Sequence, residues 1–323
     1  MLRVHFLNVG HGDCTVIKHP SGRLTMIDVN SCQQYDRRSE QTIFEEELLA
    51  LQRAGGGGAY GLLTALKERE KAYELVNTRA KRELTDPINF MKRMYPGQSL
   101  FRFILTHPDL DHMRGLRRLH EEIGFFNFWD TANDKSVTSF RSEADKIDWA
   151  FYQDIRSAGG KMYTQGDSLY AFAKEWDGRP GGDSIEILSP TREIVGICNT
   201  NGRFNDISLV IRVHHASRSV LLPGDVEAAT WDSMVMQHGY RLKSCFLKAS
   251  HHGRDSGYHS QALRLINPEM TFVSVGQKPA TDASSKYRQQ CPKVASTRFY
   301  GDIELRVHNN GQYEWFVNRN AGR

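Results

Sequence analysis

The apolar run Phe101–Leu105 ends in Thr106-His107-Pro108-Asp109-Leu110-Asp111-His112, which sets four metal-ligating side chains within six residues. A strand that stops in such a loop delivers imidazoles and carboxylates to one place. Side chains of that kind pack poorly and hold divalent cations well. His107 and Asp109, two apart, can grip one ion from the end of the strand, and Asp111 and His112 can grip a second from the turn that follows. Two ions roughly 3.5–4 Å apart can share a bridging hydroxide and clamp both oxygens of a displacement. The plainer alternative is a polar loop in which Asp111 caps a helix starting at Met113. The pair of histidines favours metal.

Two more apolar runs end the same way. Leu221-Leu222-Pro223-Gly224-Asp225 puts a carboxylate at a sharp strand-end turn, where its two oxygens could bridge two cations. Taken alone it is an ordinary turn. Phe246-Leu247-Lys248-Ala249-Ser250-His251-His252-Gly253 ends in tandem histidines beside a glycine, an uncommon pairing for a plain turn. Asn205, ahead of Ile207–Val210, reads as a turn residue unless the other clusters lend it a role.

The chain has 323 residues, enough for a sizeable core. Hydrophobic content of 39% and charge of 25% are those of an ordinary globular protein, and a net charge of +4 permits a polyanionic partner without arguing for one. Cys14, Cys32, Cys198, Cys245 and Cys291 are odd in number, widely spaced and without a C-x-x-C pair. They read as reduced thiols in a cytoplasmic protein. No window approaches the roughly 18 apolar residues of a membrane span, and Met1–Leu7 begins as a strand without a signal-peptide core. No membrane association is expected.

Residues 2–9 alternate and turn at Gly10-His11-Gly12-Asp13; short strands over Cys14–Lys18 and Arg23–Val29 lead to Asp28. Residues 33–95 change character. They are rich in charged residues, Leu and Ala, with Phe44, Leu48, Leu49 and Leu51 at helical spacing and a Gly55–Gly58 run that reads as a hinge. They predict a helical insertion within a single domain spanning 1–323, suited to a lid or to docking a protein partner. Met113–Ile123 looks helical, and 124–200 is mixed. Strands return over Ser184–Leu188, Ser208–Val213, Ser219–Leu222, Ser244–Lys248, Met270–Val275, Ile303–His308 and Gln312–Val317, with helices at 226–238 and 259–266. This order predicts an α+β fold, an αββα sandwich of two mixed sheets flanked by helices.

The three strand-end clusters, in this order, resemble the metallo-β-lactamase superfamily, and one branch in particular. Phe6-Leu7-Asn8-Val9-Gly10-His11-Gly12-Asp13 resembles the FLxVGxGD opening of the hydrolase domain of ComEC-type DNA-uptake proteins. Thr106–His112 resembles their SHxDxDH motif, Asn205–Val210 their NxxSLVL, Leu221–Asp225 their LLTGD, Leu247–Gly253 their LKxxHHG, and Val273-Ser274-Val275-Gly276 their VSVG strand. The resemblance implies a free-standing relative without the channel. It places His107 and Asp109 on one metal, Asp111 and His112 on the other, and Asp225 between them. His251 or His252 completes the second site, and Asn205 sits where the wider superfamily has a first-site histidine. Asp13 and Asp28 are expected to support ligands rather than to ligate. Relatives carry another histidine soon after VSVG; here Gln277–Lys286 has none, and Asp282 or a serine is the available substitute.

The implied activity is a metal-dependent hydrolase with Asp111, Asp225 and His252 at the reaction centre, in which a hydroxide bridging two ions attacks phosphorus or a carbonyl. His252, if free of metal, would protonate the leaving group. Zn2+ is the expected ion, with Mn2+ or Mg2+ suited to the oxygen-rich first site. DNA-uptake relatives point to phosphodiesters, in DNA or RNA, which makes the chain a phosphodiesterase or nuclease. Lys278, Lys286, Arg288 and Arg254 could hold phosphate, and Phe126, Trp129 and Tyr258 could stack bases, although surface charge and core packing are the simpler readings of each. The alternatives are a hydrolase of small esters, lactones or amides, and a metal-stabilised interaction module without catalysis.

Overall fold

The computed structural model describes residues 1–31, 34–35, 37–54, 62–165, 183–276 and 281–318. Cys32, the Gly55–Gly58 run, Gly181-Gly182 and Lys278, with the rest of 277–280, lie outside them. In chain order the strands and helices are β1 Leu2–Phe6, β2 Thr15–Lys18, β3 Leu24–Ile27, β4 Val29–Asn30, α1 Arg37–Ala54, α2 Leu62–Glu83, α3 Pro87–Met94, β5 Leu100–Ile104, β6 Met113–Arg114, α4 Leu116–Glu122, β7 Phe125–Asp130, α5 Glu143–Ser157 and β8 Lys161–Met162. Then follow β9 Ile185–Ser189, α6 Arg192–Asn201, β10 Val210–His215, β11 Arg218–Leu222, α7 Ala228–His238, β12 Phe246–Lys248, α8 Ser260–Ile266, β13 Met270–Val273, α9 Ser284–Gln290, β14 Val294–Ser296, α10 Thr297–Tyr300, β15 Ile303–Val307 and β16 Tyr313–Val317.

The strands form two mixed sheets, β16-β15-β1-β2-β3-β5-β7-β8 and β14-β13-β12-β11-β10-β9, with a small β4-β6 pair beside them. Both faces of the central strands are buried, so successive residues serve different cores. Ile17, Ile27, Ile104, Val220, Leu222 and Phe272 fill the space between the sheets. Their neighbours Val16, Met26 and Phe103 face α3, α4 and α5, and Leu221 and Val273 face α7, α8 and α9. Phe6 stacks on Phe272 across the interface with centroids 4.4 Å apart. The result is an αββα sandwich. No helix among the described residues is long and apolar enough to cross a membrane.

Most of the helical segment between β4 and α3 packs on itself. Ile43 and Phe44 of α1 meet Ala72, Val76 and Ala80 of α2 around Tyr35. Its attachment is polar: Asn8 Nδ2 donates to the Glu83 carbonyl at 2.7 Å, and the Asn8 carbonyl accepts from the Thr85 amide at 2.8 Å. The last helix of the 33–95 segment, α3, packs Ile88, Phe90 and Met91 on the large sheet. Asp86 caps it, accepting from the Asn89 amide at 2.8 Å, with Pro87 in the first turn.

One element differs from the sequence reading. Met113 and Arg114 pair with Val29 and Asn30 as a short strand, and the helix begins only at Leu116, after Gly115 at φ +85°. The first amides of that helix are satisfied from outside it. Asp148 of α5 accepts from Gly115 at 2.7 Å and from Arg117 at 3.1 Å. The cap comes from a helix 30 residues on, so Asp111 is left for another use.

Two buried histidines give the fold an acid limit. Burial pushes the His5 pKa down to about 4 and the His19 pKa down to about 3. The unfolded chain takes up a proton at each near its ordinary value of about 6.5, so stability is full above that pH and falls as acid passes through the window below it. Urea midpoints measured from pH 7 to pH 4 should decline, with His5 contributing up to about 3 kcal/mol. His5→Gln, which keeps a partner for the Tyr95 hydroxyl now 2.7 Å from Nε2, should flatten that slope.

Candidate metal centre

The turns after β1, β3, β5, β11 and β12 meet at one end of the sandwich. Thr106 ties the sheets there, its carbonyl accepting from Leu209 at 2.9 Å, and the amide of Asp13 reaches the Asp111 carbonyl at 3.3 Å. Gly224 sets Asp225 in place. It has φ +61°, and a Cβ on it would lie 2.8 Å from Ser208 Cβ and 3.0 Å from Thr106 Cβ. Only glycine fits both the turn and the gap. His251 and His252 follow β12 at φ +48° and +54°, a left-handed pair of ordinary residues of the strained kind found at functional sites.

Asp13, His112, Asp225 and His252 are all buried, and each offers a ligand atom within 4.8 Å of the others; His11, Asp111 and His252 form an adjoining group. Asp225 Oδ2 lies 3.4 Å from His112 Nε2 and 3.2 Å from His252 Nε2, and Asp111 Oδ2 lies 3.6 Å from the same His252 nitrogen. Ligands at about 2.0–2.1 Å from a tetrahedral ion stand about 3.3 Å from one another. The donor atoms therefore sit close to the edge lengths of such a shell. The Nε2 atoms of His107, His112 and His252, and Oδ1 of Asp225, are buried without a hydrogen-bond partner. Orphaned polar atoms are costly, and here they converge. The residues fit divalent cations.

The ring orientations have a cause. Asp28, at φ +58°, accepts the Thr106 amide at one oxygen (2.8 Å), and at the other the Thr106 hydroxyl (2.8 Å) and His112 Nδ1–H (2.8 Å). With its proton given to Asp28, the Thr106 oxygen can accept from His107 Nδ1 at 3.1 Å. One carboxylate thus orients both imidazoles, with Nδ1 turned to Asp28 and Thr106 and Nε2 turned to the cluster, the supporting part expected for Asp28. Asp13 is placed closer than expected. Buried Lys248 pairs with its Oδ2, and its Oδ1 is an unpartnered atom at the edge of the four-donor group.

Electrostatics point the same way. Burial opposes charge on His252, but Asp225 first and then Asp13 and Asp111 outweigh it and hold its pKa up to about 10. Burial likewise opposes charge on His112, and Asp225 and Asp28 raise it well above its ordinary value. Asp225 is held well below the carboxylate range by the same two imidazoles, against burial. Protons there supply the positive charge that these carboxylates demand, and a bound cation would replace them. His107 goes the other way, lowered by burial and by His112.

Of the tandem pair, His252 enters the cluster. His251 lies on the rim, with Nδ1 2.7 Å from the Ser256 hydroxyl and 3.0 Å from Glu227, and Nε2 3.9 Å from Asp225 Oδ2. Asp109 is half-exposed, with Oδ2 3.8 Å from His107 Nε2, and its other oxygen pairs with Lys135. Asn205 lines a cavity of about 280 Å³ together with Asp109, Lys135, Arg203, Phe204 and Glu227. Asp282 accepts from Ser284 at 2.6 Å, and its backbone forms an isolated antiparallel β-bridge with that of Arg254, outside the donor groups found among the described residues. Arg254 Nη2 lies 3.3 Å from His11 Nε2, beside the centre, while Lys286 pairs with Asp255 at 2.8 Å. Trp129 is core; Phe126 is exposed. His11, Lys135, Glu227 and Lys248 were not singled out from the sequence. His11 stood inside a quoted motif, and Lys248 stood four residues before His252.

No family model matches the chain. It is similar to the uncharacterized protein YcaI of Escherichia coli (strain K12), 21% identical over 117 residues, which are 35% of this chain and 16% of YcaI's length. Similar solved structures include the metallo hydrolase Igni18 of Ignicoccus hospitalis (TM-score 0.43, 12% identity, 98% of this chain and 100% of that one). The metallo-beta-lactamase fold protein YhfI of Bacillus subtilis scores 0.44 at 11% identity, with the same coverage of both chains. The diiron β-hydroxylase CmlA of Streptomyces venezuelae scores 0.43 at 12% identity over 94% of this chain and 54% of its own. Likeness at this level leaves the site to be argued from this chain's own residues.

Asp28→Asn keeps the volume and removes the charge that orients His112. It should weaken zinc binding by about 10–100-fold with the fold intact, read by competition with a chromophoric chelator.

Proposed function

We propose that this chain is a metal-dependent hydrolase of the ComEC-type metallo-β-lactamase branch, acting on phosphodiesters. The observation that carries the reading is the set of buried, unpartnered donor atoms at His107, His112, Asp225 and His252, beside a cavity walled by Lys135 and Arg203. Zn2+ held there would lower the pKa of a bound water to about 7, and Zn2+, Mn2+ or Mg2+ would neutralise developing charge on phosphoryl oxygens.

The chain's own residues would supply the rest. Asp111, His112, Asp225 and His252 would hold one ion, and His107 and Asp109 would serve a second, with Asp225 available to both. Lys135 and Arg203, paired with Asp109 and Asp206, would turn their remaining N–H groups to anionic oxygens, and the exposed part of Phe204 would meet a base or aryl group. His251, with Nδ1 against Ser256 and Glu227 and Nε2 3.9 Å from Asp225 Oδ2, would pass a proton to the leaving oxygen in place of His252. A cavity of about 280 Å³ is small, which favours as second reading a compact ester, lactone or amide. Leu49, Leu66 and Tyr73 of α1 and α2 are exposed and would serve a protein partner docking on this segment.

His112→Ala and Asp225→Ala should each lower turnover of a model aryl phosphodiester, and of single-stranded or duplex DNA, by at least about 1,000-fold while circular dichroism is unchanged. His251→Gln should lower kcat and leave bound metal unchanged. Full turnover in both alanine variants would refute the site; turnover of lactones but not diesters would favour the second reading.

A further inference from the structure

We propose that Lys135 makes the two cation positions unequal: the buried one fills first, and the ammonium of Lys135 competes for the one at His107 and Asp109. This rests on the metal-centre reading above and specifies how that centre loads.

The charge around the two positions differs. Asp111 and Asp225 form no ion pair with a lysine or arginine among the described residues; Lys248 is near enough to feel Asp225 but is paired with Asp13. At the other position Asp109 is already paired with Lys135. A dication arriving there meets a carboxylate whose charge has been cancelled, and shares Asp225 with the first ion. The donors are also looser. His107 Nε2 and Asp109 Oδ2 are 3.8 Å apart, beyond the tetrahedral edge of about 3.3 Å, and neither residue belongs to the compact donor groups.

Lys135 is held where it is. It lies on the segment between β7 and α5, and its amide donates to Asn133 Oδ1 at 3.3 Å. Buried Asn133 donates to the Tyr152 hydroxyl at 2.8 Å, which donates to Asp130 at 2.8 Å. Arg156 of α5 pairs with Asp130 at 3.1 Å and donates to the carbonyls of Thr131 at 3.2 Å and Asn133 at 2.5 Å. From the other side, Phe204 puts its ring 5.3 Å from the ammonium. The lysine is therefore aimed at Asp109 by a buried network and an aromatic face, unlike a surface lysine that happens to find a carboxylate.

The test is calorimetric titration of the metal-stripped full chain with Zn2+, with bound zinc counted by mass spectrometry. The wild type should take one ion tightly and a second at least about tenfold more weakly, a modest figure for a unit charge a few ångströms away. Lys135→Met should tighten the second ion about tenfold or more and leave the first unchanged; Lys135→Gln repeats the test should the methionine variant melt early. Lys135→Arg, which keeps the charge, should keep the gap. Two equal sites in the wild type, an unchanged gap in both neutral variants, or a second ion that binds more weakly without the lysine would each overturn the inference while leaving the metal centre standing. A wild type that binds no zinc would overturn both.

Discussion

The carboxylate of Asp225 is the point on which the rest of the structure converges. It is buried, within 3.4 Å of two imidazole nitrogens, and one of its oxygens has no hydrogen-bond partner. An ionised carboxylate in such a place is tolerable only beside positive charge. The protein meets that demand with His112 and His252, and both are raised in pKa by doing so. Each unsatisfied donor or acceptor costs of order 1–3 kcal/mol. The two sheets and their helical layers offset that cost, and the strand ends they hold in register carry the strain.

How the strand ends are held follows from the packing of the strands. Because β3 and β5 run parallel in one sheet and β11, β12 and β13 run parallel in the other, their carboxyl ends emerge at a common edge. The N-terminal turn closes the gap between them: a Cβ on Gly276, just after β13, would lie 2.6 Å from Gly10 Cα. Asp13 and His11 reach the centre from that turn. The αα pair of α1 and α2 contributes little here, since its apolar side chains meet one another and its contacts with the sandwich are largely polar.

Much of this could be read in the sequence, for an identifiable reason. A buried strand that ends in histidine and aspartate is a local pattern, and three such ends in order are hard to explain by packing. What could not be read depended on torsion or on distant partners. Nothing in His251-His252 says that both take left-handed φ, yet that turn decides which ring faces Asp225. Asp111 kept a helix cap as its plainer alternative in the sequence, and only the fold shows that Asp148, from another helix, satisfies those amides. Lys135 sits in a segment without periodicity, and only the fold brings it to Asp109.

The same distinction separates the two halves of the centre. Asp28 holds His112 directly and His107 through the Thr106 hydroxyl, so one carboxylate sets both rings: whatever moves Asp28 turns both Nε2 atoms at once. Burial then treats them differently. His112 faces Asp225 and Asp28 and is raised, while His107 feels the charge of His112 and is lowered. A cation displacing the proton from His112 would leave a higher charge beside His107, which the carboxylates would have to screen. The hydrogen-bond chain gives the halves a common geometry, and the charge distribution gives them different affinities. A centre built this way orders its ligands before it balances them.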